Sequence, residues 1–212
     1  MSLEEYMQVI PEDFNKEAKL IDKTIKDLKI GKKAKILDVG TGFGAMVILL
    51  ALNGFNVLTG QPEHDPEWRQ HHNQSCDHKH ETERSHHFQN VKSWEENAKT
   101  LGVRDKIEFQ YIDVEKLGFS DESFDAIFMF DSLQHVKNKK LALTQCLRVL
   151  KPDGLVCVIE WNKQSVDFWN KKEELGIDSI DPNEILDRKK VNIQLMKGKE
   201  INIFILRKSD LR

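Results

Sequence analysis

The residues best suited to hold a ligand are three alternating glycines near the amino end of the chain. Gly40, Gly42 and Gly44 follow an apolar run that carries one acid, Asp38. Glycine lets a backbone approach a ligand closely, and open α/β sheets bind cofactors at the carboxyl ends of their strands. The spacing is Gly-x-Gly-x-Gly, whereas dinucleotide-binding loops have Gly-x-Gly-x-x-Gly. With a carboxylate two residues earlier, this loop favours a neutral or cationic ligand group over a pyrophosphate.

Four further segments follow this loop in a fixed order. They are Thr59–Glu63, Tyr111–Leu117, Phe124–His135 and Leu147–Gly154. Together with Asp38–Gly44, these segments resemble the motifs of the class I S-adenosylmethionine-dependent methyltransferases, over roughly residues 30–161. The resemblance implies a Rossmann-like fold and S-adenosyl-L-methionine as the cofactor.

The same resemblance implies which residues bind that cofactor. They are Asp38, Gly40, Thr41, Gly42, Gln61, Glu63, Asp113, Val114 and Phe130. In the family an acid at the end of the second strand binds the ribose hydroxyls, but here Gln61 has that position and Glu63 comes two residues later. Either residue is therefore a candidate for the ribose contact. Asp113 corresponds to the residue that accepts a hydrogen bond from the adenine amino group.

His135 is the candidate catalytic residue. Methyl transfer is an in-line displacement at a carbon that a positive sulfonium activates, so the protein mainly aligns the reactants and excludes water. A base is needed only if the acceptor atom must lose a proton. His135 lies just beyond the fourth predicted strand, where the acceptor should bind. The alternative is that His135 only caps the next helix or packs locally.

Seven of the eight histidines fall between residues 64 and 87. The family has a short connection here, so most of this histidine-rich insertion, at about 64–90, is additional. Asp65-Pro66-Glu67 is a good helix start. A helix continuing from it would place potential zinc or other divalent-metal ligands on one stripe. These residues are His72, Cys76, His80 and His87. The alternatives are a lid over the substrate beside the cofactor ribose, and a polar surface.

The apolar pattern predicts which elements position these residues. A helix is expected at about 12–29, followed by strands that alternate with helices up to residue 161. Such alternation requires a parallel sheet with right-handed crossovers. Alternating apolar residues on both sides of Lys197-Gly198 predict a closing hairpin. The expected fold is a single α/β domain over 1–212, a Rossmann-like three-layer αβα sandwich. Its seven-stranded sheet should be mostly parallel, with an antiparallel C-terminal hairpin strand.

Two local patterns predict where helices begin and end. Ser93-Trp94-Glu95-Glu96 is a capping box, which should open a helix. Leu141–Leu150 has helical spacing, and Lys151-Pro152-Asp153-Gly154 should stop that helix in a turn before the next strand.

The composition restricts the class of protein. The chain has 212 residues, a net charge of -3 and 39% hydrophobic residues, which is typical of one globular domain. We expect no nucleic-acid or membrane partner, because there is no excess positive charge, no signal sequence and no long apolar segment. Cys76, Cys146 and Cys157 are too few for a disulfide framework, and the last two should be buried free thiols. A cytoplasmic location is expected, and the sequence predicts no particular oligomeric state.

The main functional hypothesis is an enzyme that methylates a small molecule on an oxygen, nitrogen, sulfur, carbon or metalloid atom. One alternative is a binding module, in which the core holds S-adenosylmethionine and the histidine-rich insertion responds to a metal. The other is a methyltransferase that acts on protein or RNA. The lack of a basic face and of an appended recognition domain favours the small-molecule hypothesis.

Overall fold

The computed structural model describes residues 2–63, 92–173 and 176–209, and in these ranges seven strands form one sheet. The strands are β1 (Ile36–Val39), β2 (Val57–Gln61), β3 (Ile107–Tyr111), β4 (Phe124–Phe130), β5 (Leu150–Trp161), β6 (Val191–Lys197) and β7 (Ile201–Lys208). Their order is β3-β2-β1-β4-β5-β7-β6, with β1 to β5 parallel and β7 antiparallel to both β5 and β6. The predicted mostly parallel sheet with its C-terminal hairpin is therefore confirmed.

Helices cover both faces of the sheet. They are α1 (Leu3–Val9), α2 (Glu12–Asn15), α3 (Ala18–Asp27), α4 (Ala45–Leu52), α5 (Trp94–Thr100), α6 (Lys139–Val149), α7 (Lys163–Glu173) and α8 (Pro182–Ile185). Buried residues of α1, α3, α4 and α5 form one core cluster, and those of α6 belong to the second cluster on the opposite face. This confirms the three-layer architecture. None of the helices in the described ranges is long and apolar enough to cross a membrane.

Each core cluster contains one cysteine. Cys157 of β5 lies in the first cluster and Cys146 of α6 in the second, and both are free and buried. The expectation of buried free thiols at these two positions is confirmed, whereas Cys76 lies outside the described residues.

The predicted N-terminal helix at about 12–29 is confirmed over most of its range, but the prediction that it is one continuous helix was wrong. The chain forms α2 and α3 with a break at Lys16-Glu17, and the unpredicted α1 precedes them. The side-chain amide of Asn15 donates to the carbonyls of Met7 (2.8 Å) and Ile10 (2.7 Å), which holds α2 against the end of α1. These bonds satisfy carbonyls that the end of α1 leaves unpaired, and the break in the helix lies directly after Asn15.

The predicted turn at Lys151–Gly154 was also wrong, because these residues lie within β5. Leu150 pairs with Phe124 and Leu155 pairs with Ala126, so the residues between them form an irregularity in the ladder. Such bulges let one strand carry more residues than its partner. The helix before it does stop close to the predicted place, since α6 ends at Val149.

The capping box at the start of α5 is confirmed. The Ser93 hydroxyl accepts from the Glu96 backbone N–H at 3.3 Å, and the Glu96 carboxylate accepts from the Ser93 N–H at 2.9 Å. The two bonds pair donors that would otherwise lack a partner at the helix start. Asn97, in the same helix, donates its side-chain amide to the carbonyl of Phe43 at 3.1 Å, so α5 also supports the glycine loop.

Candidate functional site

The glycine loop joins β1 to α4 at the carboxyl end of the sheet. Gly40, Gly42 and Gly44 have φ angles of 93°, 48° and 87°, in the left-handed region that residues with a Cβ disfavour. A Cβ at Gly40 would lie 2.6 Å from the Cβ of Ser132, so the β4 end packs tightly on this glycine. A Cβ at Gly42 would meet nothing within 4 Å. The loop is therefore packed at Gly40 and open at Gly42.

A buried polar network lies beneath this loop. The Thr59 hydroxyl donates to Asp38 Oδ2 at 2.7 Å, and the hydroxyls of Thr41 and Thr59 are 2.9 Å apart. Asp38 Oδ1 is buried and has no hydrogen-bond partner among the described residues. Burial raises the pKa of Asp38 to about 7. Because buried polar atoms are normally paired, Asp38 offers an unused acceptor close to the loop.

The end of β2 contacts the glycine loop through Gln61. Its side-chain oxygen accepts from the Gly42 N–H at 3.3 Å, and its backbone carbonyl accepts from the Ile112 N–H at 2.8 Å. Glu63, the other candidate for the ribose contact, is exposed two residues further on. The structure thus brings Gln61, rather than Glu63, against the loop.

Asp113 and Val114 follow β3 and lie next to the end of β2, because Ile112 bonds to Gln61. Asp113 is exposed and its Oδ1 accepts from the Glu115 N–H at 2.9 Å, whereas Val114 is buried. The predicted cofactor residues at the ends of β1, β2 and β3 therefore come together at the carboxyl end of the sheet. Their individual roles remain predictions.

Aromatic rings surround the end of β4. Phe130 packs edge-on against Phe14 with ring centroids 6.1 Å apart, and Phe14 packs in the same way against Phe43 at 5.8 Å. Phe43 belongs to the glycine loop, so Phe14 connects this loop to β4. The sequence did not indicate a role for the N-terminal helices at the site. Tyr6 of α1 also contacts this region, because its buried hydroxyl donates to the Ala45 carbonyl at the start of α4, at 2.9 Å.

Two carboxyl groups lie side by side at the ends of β4 and β5. The backbone N–H of Asp131 donates to the Ile159 carbonyl at 2.9 Å, which places Asp131 beside Glu160. Glu160 is fully buried; its Oε1 accepts from the Leu133 N–H at 2.9 Å, and its Oε2 has no partner among the described residues. Burial and the neighbouring Asp131 raise the pKa of Glu160. Sequence reasoning did not single out this pair.

Asp131 itself has an unusual backbone and environment. Its φ angle is 48°, which is uncommon for a residue with a Cβ and often marks a functional site. Burial raises the pKa of its carboxyl group to about 6, although a hydrogen bond from the Trp161 side chain acts in the opposite direction. The available sequence signal was an acidic residue at the end of each of two largely apolar segments, Asp131 directly after β4 and Glu160 next to last in β5.

His135 lies in a 3₁₀ turn, Leu133–His135, a few residues beyond Asp131. Its side chain is exposed, but partial desolvation and the nearby Lys139 lower its pKa. A neutral imidazole can accept a proton, so the position is compatible with a base. The catalytic role of His135 stays a prediction.

The candidate metal ligands His72, Cys76, His80 and His87 lie outside the described residues, and so does the whole histidine-rich insertion. The metal and lid hypotheses therefore stay predictions from the sequence. In the ranges that the structure describes, no group of three or more His, Cys, Asp or Glu side chains is arranged to hold a metal.

Part of the chain is similar to curated proteins named ubiquinone/menaquinone biosynthesis C-methyltransferase UbiE. The protein from Pseudomonas savastanoi pv. phaseolicola is 41% identical over 71 residues, which cover 34% of this chain and 28% of that protein. The protein from Pseudomonas fluorescens is 44% identical over 70 residues, covering 33% of this chain and 27% of the relative. The chain thus matches little more than a quarter of the length of these relatives.

Solved structures share the fold over a larger part of the chain. The YcgJ protein from Bacillus subtilis aligns with a TM-score of 0.55 and 19% identity, covering 82% of this chain and 69% of that protein. A TehB-like SAM-dependent methyltransferase from Corynebacterium glutamicum aligns with a TM-score of 0.53 and 15% identity, covering 89% of this chain and 87% of the other.

The family assignment rests on a longer match. Residues 37–158, more than half of the chain, match the family model described as a methyltransferase domain. This range begins in β1 and ends in β5, and so includes the glycine loop and the ends of the five parallel strands. The chain belongs to the methyltransferase domain family.

Proposed function

We propose that the chain is an S-adenosylmethionine-dependent methyltransferase that acts on a small molecule. The observation that carries this proposal is the glycine loop, which is open at Gly42 and lies over the unpartnered buried oxygen of Asp38. Membership of the methyltransferase domain family and the names of the partial relatives support the same function.

The residues present fit this cofactor. The missing side chain at Gly42 leaves room for a ligand against the backbone, where a Cβ would fill the space. Asp38 Oδ1 is an acceptor in need of a donor, and the amino-acid end of S-adenosylmethionine carries an ammonium group. Asp113 and Val114 would hold the adenine, and Gln61 or Glu63 would bind the ribose. Phe130 would lie near the methionine end.

When bound, S-adenosylmethionine supplies a methyl carbon activated by a positively charged sulfur. The chain's own residues bind and orient the reactants, and they exclude water. The loop backbone at Gly40–Gly44 fixes the ligand, and the Asp38–Thr59–Thr41 hydrogen bonds hold that loop on the sheet. The rings of Phe14, Phe43 and Phe130 form an apolar surface between the loop and the end of β4, which keeps water from the reacting atoms.

A small-molecule acceptor agrees with the charge of the chain and with its relatives. A net charge of -3 gives no general attraction to a phosphate backbone. The relatives from Pseudomonas are named for the biosynthesis of ubiquinone and menaquinone, which are small molecules. No described feature favours a metal-responsive binding module or a protein or RNA methyltransferase over this function.

Calorimetry tests the cofactor. S-adenosylmethionine and S-adenosylhomocysteine should each bind saturably, whereas NAD should give no heat of binding. Binding of NAD without a response to either sulfur compound would contradict the proposal. A library of small molecules incubated with methyl-tritiated cofactor then identifies the acceptor from the label that it gains.

A further inference from the structure

A narrow cleft lies beside the proposed cofactor site, at the carboxyl ends of β4 and β5. Phe14, Phe130 and Trp161 supply its aromatic wall, and Asp131 lies among them. In the sheet, β4 and β5 are on the opposite side of β1 from β2 and β3, which carry the other predicted cofactor residues. Ser132, next to Asp131, packs on Gly40. The cleft is therefore separated from the glycine loop by one residue. Its volume of about 10 Å³ has room for about one water molecule, so a methyl acceptor would have to widen it.

Three further charged residues, Lys16, Glu17 and Glu200, border the cleft. Lys16 lies 3.8 Å from the Glu200 carboxylate, so these two form an ion pair. Glu17 Oε1 accepts from the Glu200 backbone N–H at 2.7 Å. Among the charged residues of the cleft, the three acids Glu17, Asp131 and Glu200 outnumber the one base, Lys16. The cleft is therefore negative on balance.

Glu160 adds a second, independent reason to expect a positive ligand group. This side chain is fully buried directly beside Asp131, and its Oε2 has no hydrogen-bond partner in the described residues. Two adjacent carboxyl groups do not both ionise cheaply in such surroundings, so one of them stays protonated until a cation binds close by. Aromatic rings also attract cations across their faces, so the wall of the cleft favours the same kind of ligand.

We propose that the methyl acceptor enters this cleft as a protonated amine and that Asp131 takes its proton. This inference rests on the proposed function, because it names the acceptor class of that same site. An N–H bond of the ammonium breaks and the proton moves to an oxygen of the Asp131 carboxylate. The freed nitrogen lone pair then forms a bond to the methyl carbon, while the bond from sulfur to that carbon breaks. The electron pair stays on sulfur, which leaves as a neutral thioether.

Glu160 is a positioning residue in this proposal. It accepts from the backbone N–H of Leu133, and so fixes the segment that follows Asp131. Trp161 positions the carboxylate from the other side through its hydrogen bond to Asp131. The indole N–H of Trp161 is therefore a reporter of what occupies the cleft.

The test follows this indole N–H by nuclear magnetic resonance in the ¹⁵N-labelled protein. The resonance is assigned from its loss in Trp161→Phe. Propylammonium, 1-propanol and propionate are titrated separately near neutral pH. The resonance should shift saturably with propylammonium alone. In Asp131→Asn, which keeps the shape of the side chain, the affinity for propylammonium should fall at least about tenfold. Glu108→Gln, an exposed position on β3, is the matched control and should behave like the parent.

The outcomes separate this inference from the proposed function. No shift with propylammonium, an equal shift with 1-propanol or propionate, or an unchanged affinity in a folded Asp131→Asn protein would each overturn the amine proposal. If Asp131→Asn does not fold, the comparison of the three probes on the parent protein still tests whether the cleft selects a protonated amine. Calorimetry with S-adenosylmethionine on the same samples tests the proposed function, and its result does not depend on the indole shifts.

Discussion

Gly42 differs from the other glycines of its loop, because the space that its side chain would occupy is empty while the loop is otherwise closely packed. In Gly42→Val, a β-branched residue would have to adopt a φ near 48°, which costs on the order of 1–3 kcal/mol. Its methyl groups would also fill the proposed cofactor space. We expect S-adenosylmethionine binding to be lost in calorimetry while the protein still unfolds cooperatively.

Gly118→Ala is the control for this variant. A Cβ at Gly118 also meets nothing within 4 Å, but this residue does not have a left-handed backbone. Both its stability and its cofactor affinity should match those of the parent. Cofactor binding of parental strength in Gly42→Val would argue that the ligand does not approach the loop at this residue.

Gln61 has the position at which the resembled family has an acid, and it already accepts a bond from the Gly42 N–H. Glutamate at this position could keep that bond and offer a second, charged oxygen to the ribose hydroxyls. We therefore expect Gln61→Glu to strengthen S-adenosylmethionine binding by about 1 kcal/mol, roughly the value of one hydrogen bond. Calorimetry gives the affinity.

Glu63→Gln, which removes the other nearby carboxylate, is the matched comparison for Gln61→Glu. It should leave the affinity unchanged, since Glu63 is exposed and not against the loop. If Glu63→Gln weakens binding and Gln61→Glu does not strengthen it, the ribose contact belongs to Glu63 instead.

The part of the site that could be predicted from the sequence is the part that is local in the chain. Asp38 is next to last in β1, two residues before the first of the three glycines, so their spacing alone indicates a ligand-binding turn. Asp131, Glu160 and Trp161 come from strands about thirty residues apart, and only the pairing of β4 with β5 makes them neighbours. No spacing in the sequence encodes that register.

Helix α1 is attached to the site by one side chain. Tyr6 is buried and donates its hydroxyl to the Ala45 carbonyl, at the first residue of α4. Removing this hydroxyl leaves the helix-start carbonyl with one bond fewer in a dry environment. We expect Tyr6→Phe to lower the free energy of unfolding by about 1 kcal/mol, measured by urea denaturation.

The chain's other tyrosine supplies the control for Tyr6→Phe. Tyr111 is 56% exposed at the end of β3, so water replaces whatever bond its hydroxyl loses. Tyr111→Phe should change the free energy of unfolding by less than about 0.5 kcal/mol. Equal effects of the two substitutions would contradict a structural role for the Tyr6 hydroxyl.

Predictions for whole elements succeeded where one short pattern decides the structure. The capping box at Ser93 fixes the start of α5 by bonds between residues three apart, so it can be recognised without tertiary information. The break between α2 and α3 depends on Asn15 meeting the end of α1, a helix with only one buried side chain. Lys151–Gly154 resembles a turn in isolation, but pairing with β4 extends the strand through it.

Three carboxyl groups, two buried and one half-buried, should make the stability of the whole protein depend on pH. Burial raises the pKa of Asp38 to about 7, of Asp131 to about 6, and of Glu160 above its ordinary range. The folded protein therefore holds protons that the unfolded chain releases from about pH 4 upwards. Between about pH 4 and 7 the free energy of unfolding should fall as pH rises, because each unit by which folding raises a pKa corresponds to about 1.4 kcal/mol.

Urea denaturation across this pH range measures the effect in the parent and in an Asp38→Asn, Glu160→Gln double variant. The amides cannot ionise, so the variant should show a flatter profile. His135, whose pKa is lowered, acts in the opposite direction near pH 6, and it is present in both proteins. Asp131 is also present in both, so their difference isolates Asp38 and Glu160. Identical slopes would mean that these carboxyl groups do not titrate with raised pKa values.

The two buried cysteines give the molecule a pair of natural chemical labels, one on each side of the sheet. Only a thiolate is readily alkylated, and burial raises the pKa of Cys146 to about 12 and that of Cys157 still further above its ordinary value. Neither thiol can react until the layer around it opens. In a Cys76→Ser background, mass spectrometry of alkylated peptides would therefore measure the rate at which each of the two layers opens. Modification of Cys157 would report opening of the sheet face covered by α4, the helix that follows the glycine loop. Modification of Cys146 would report release of α6.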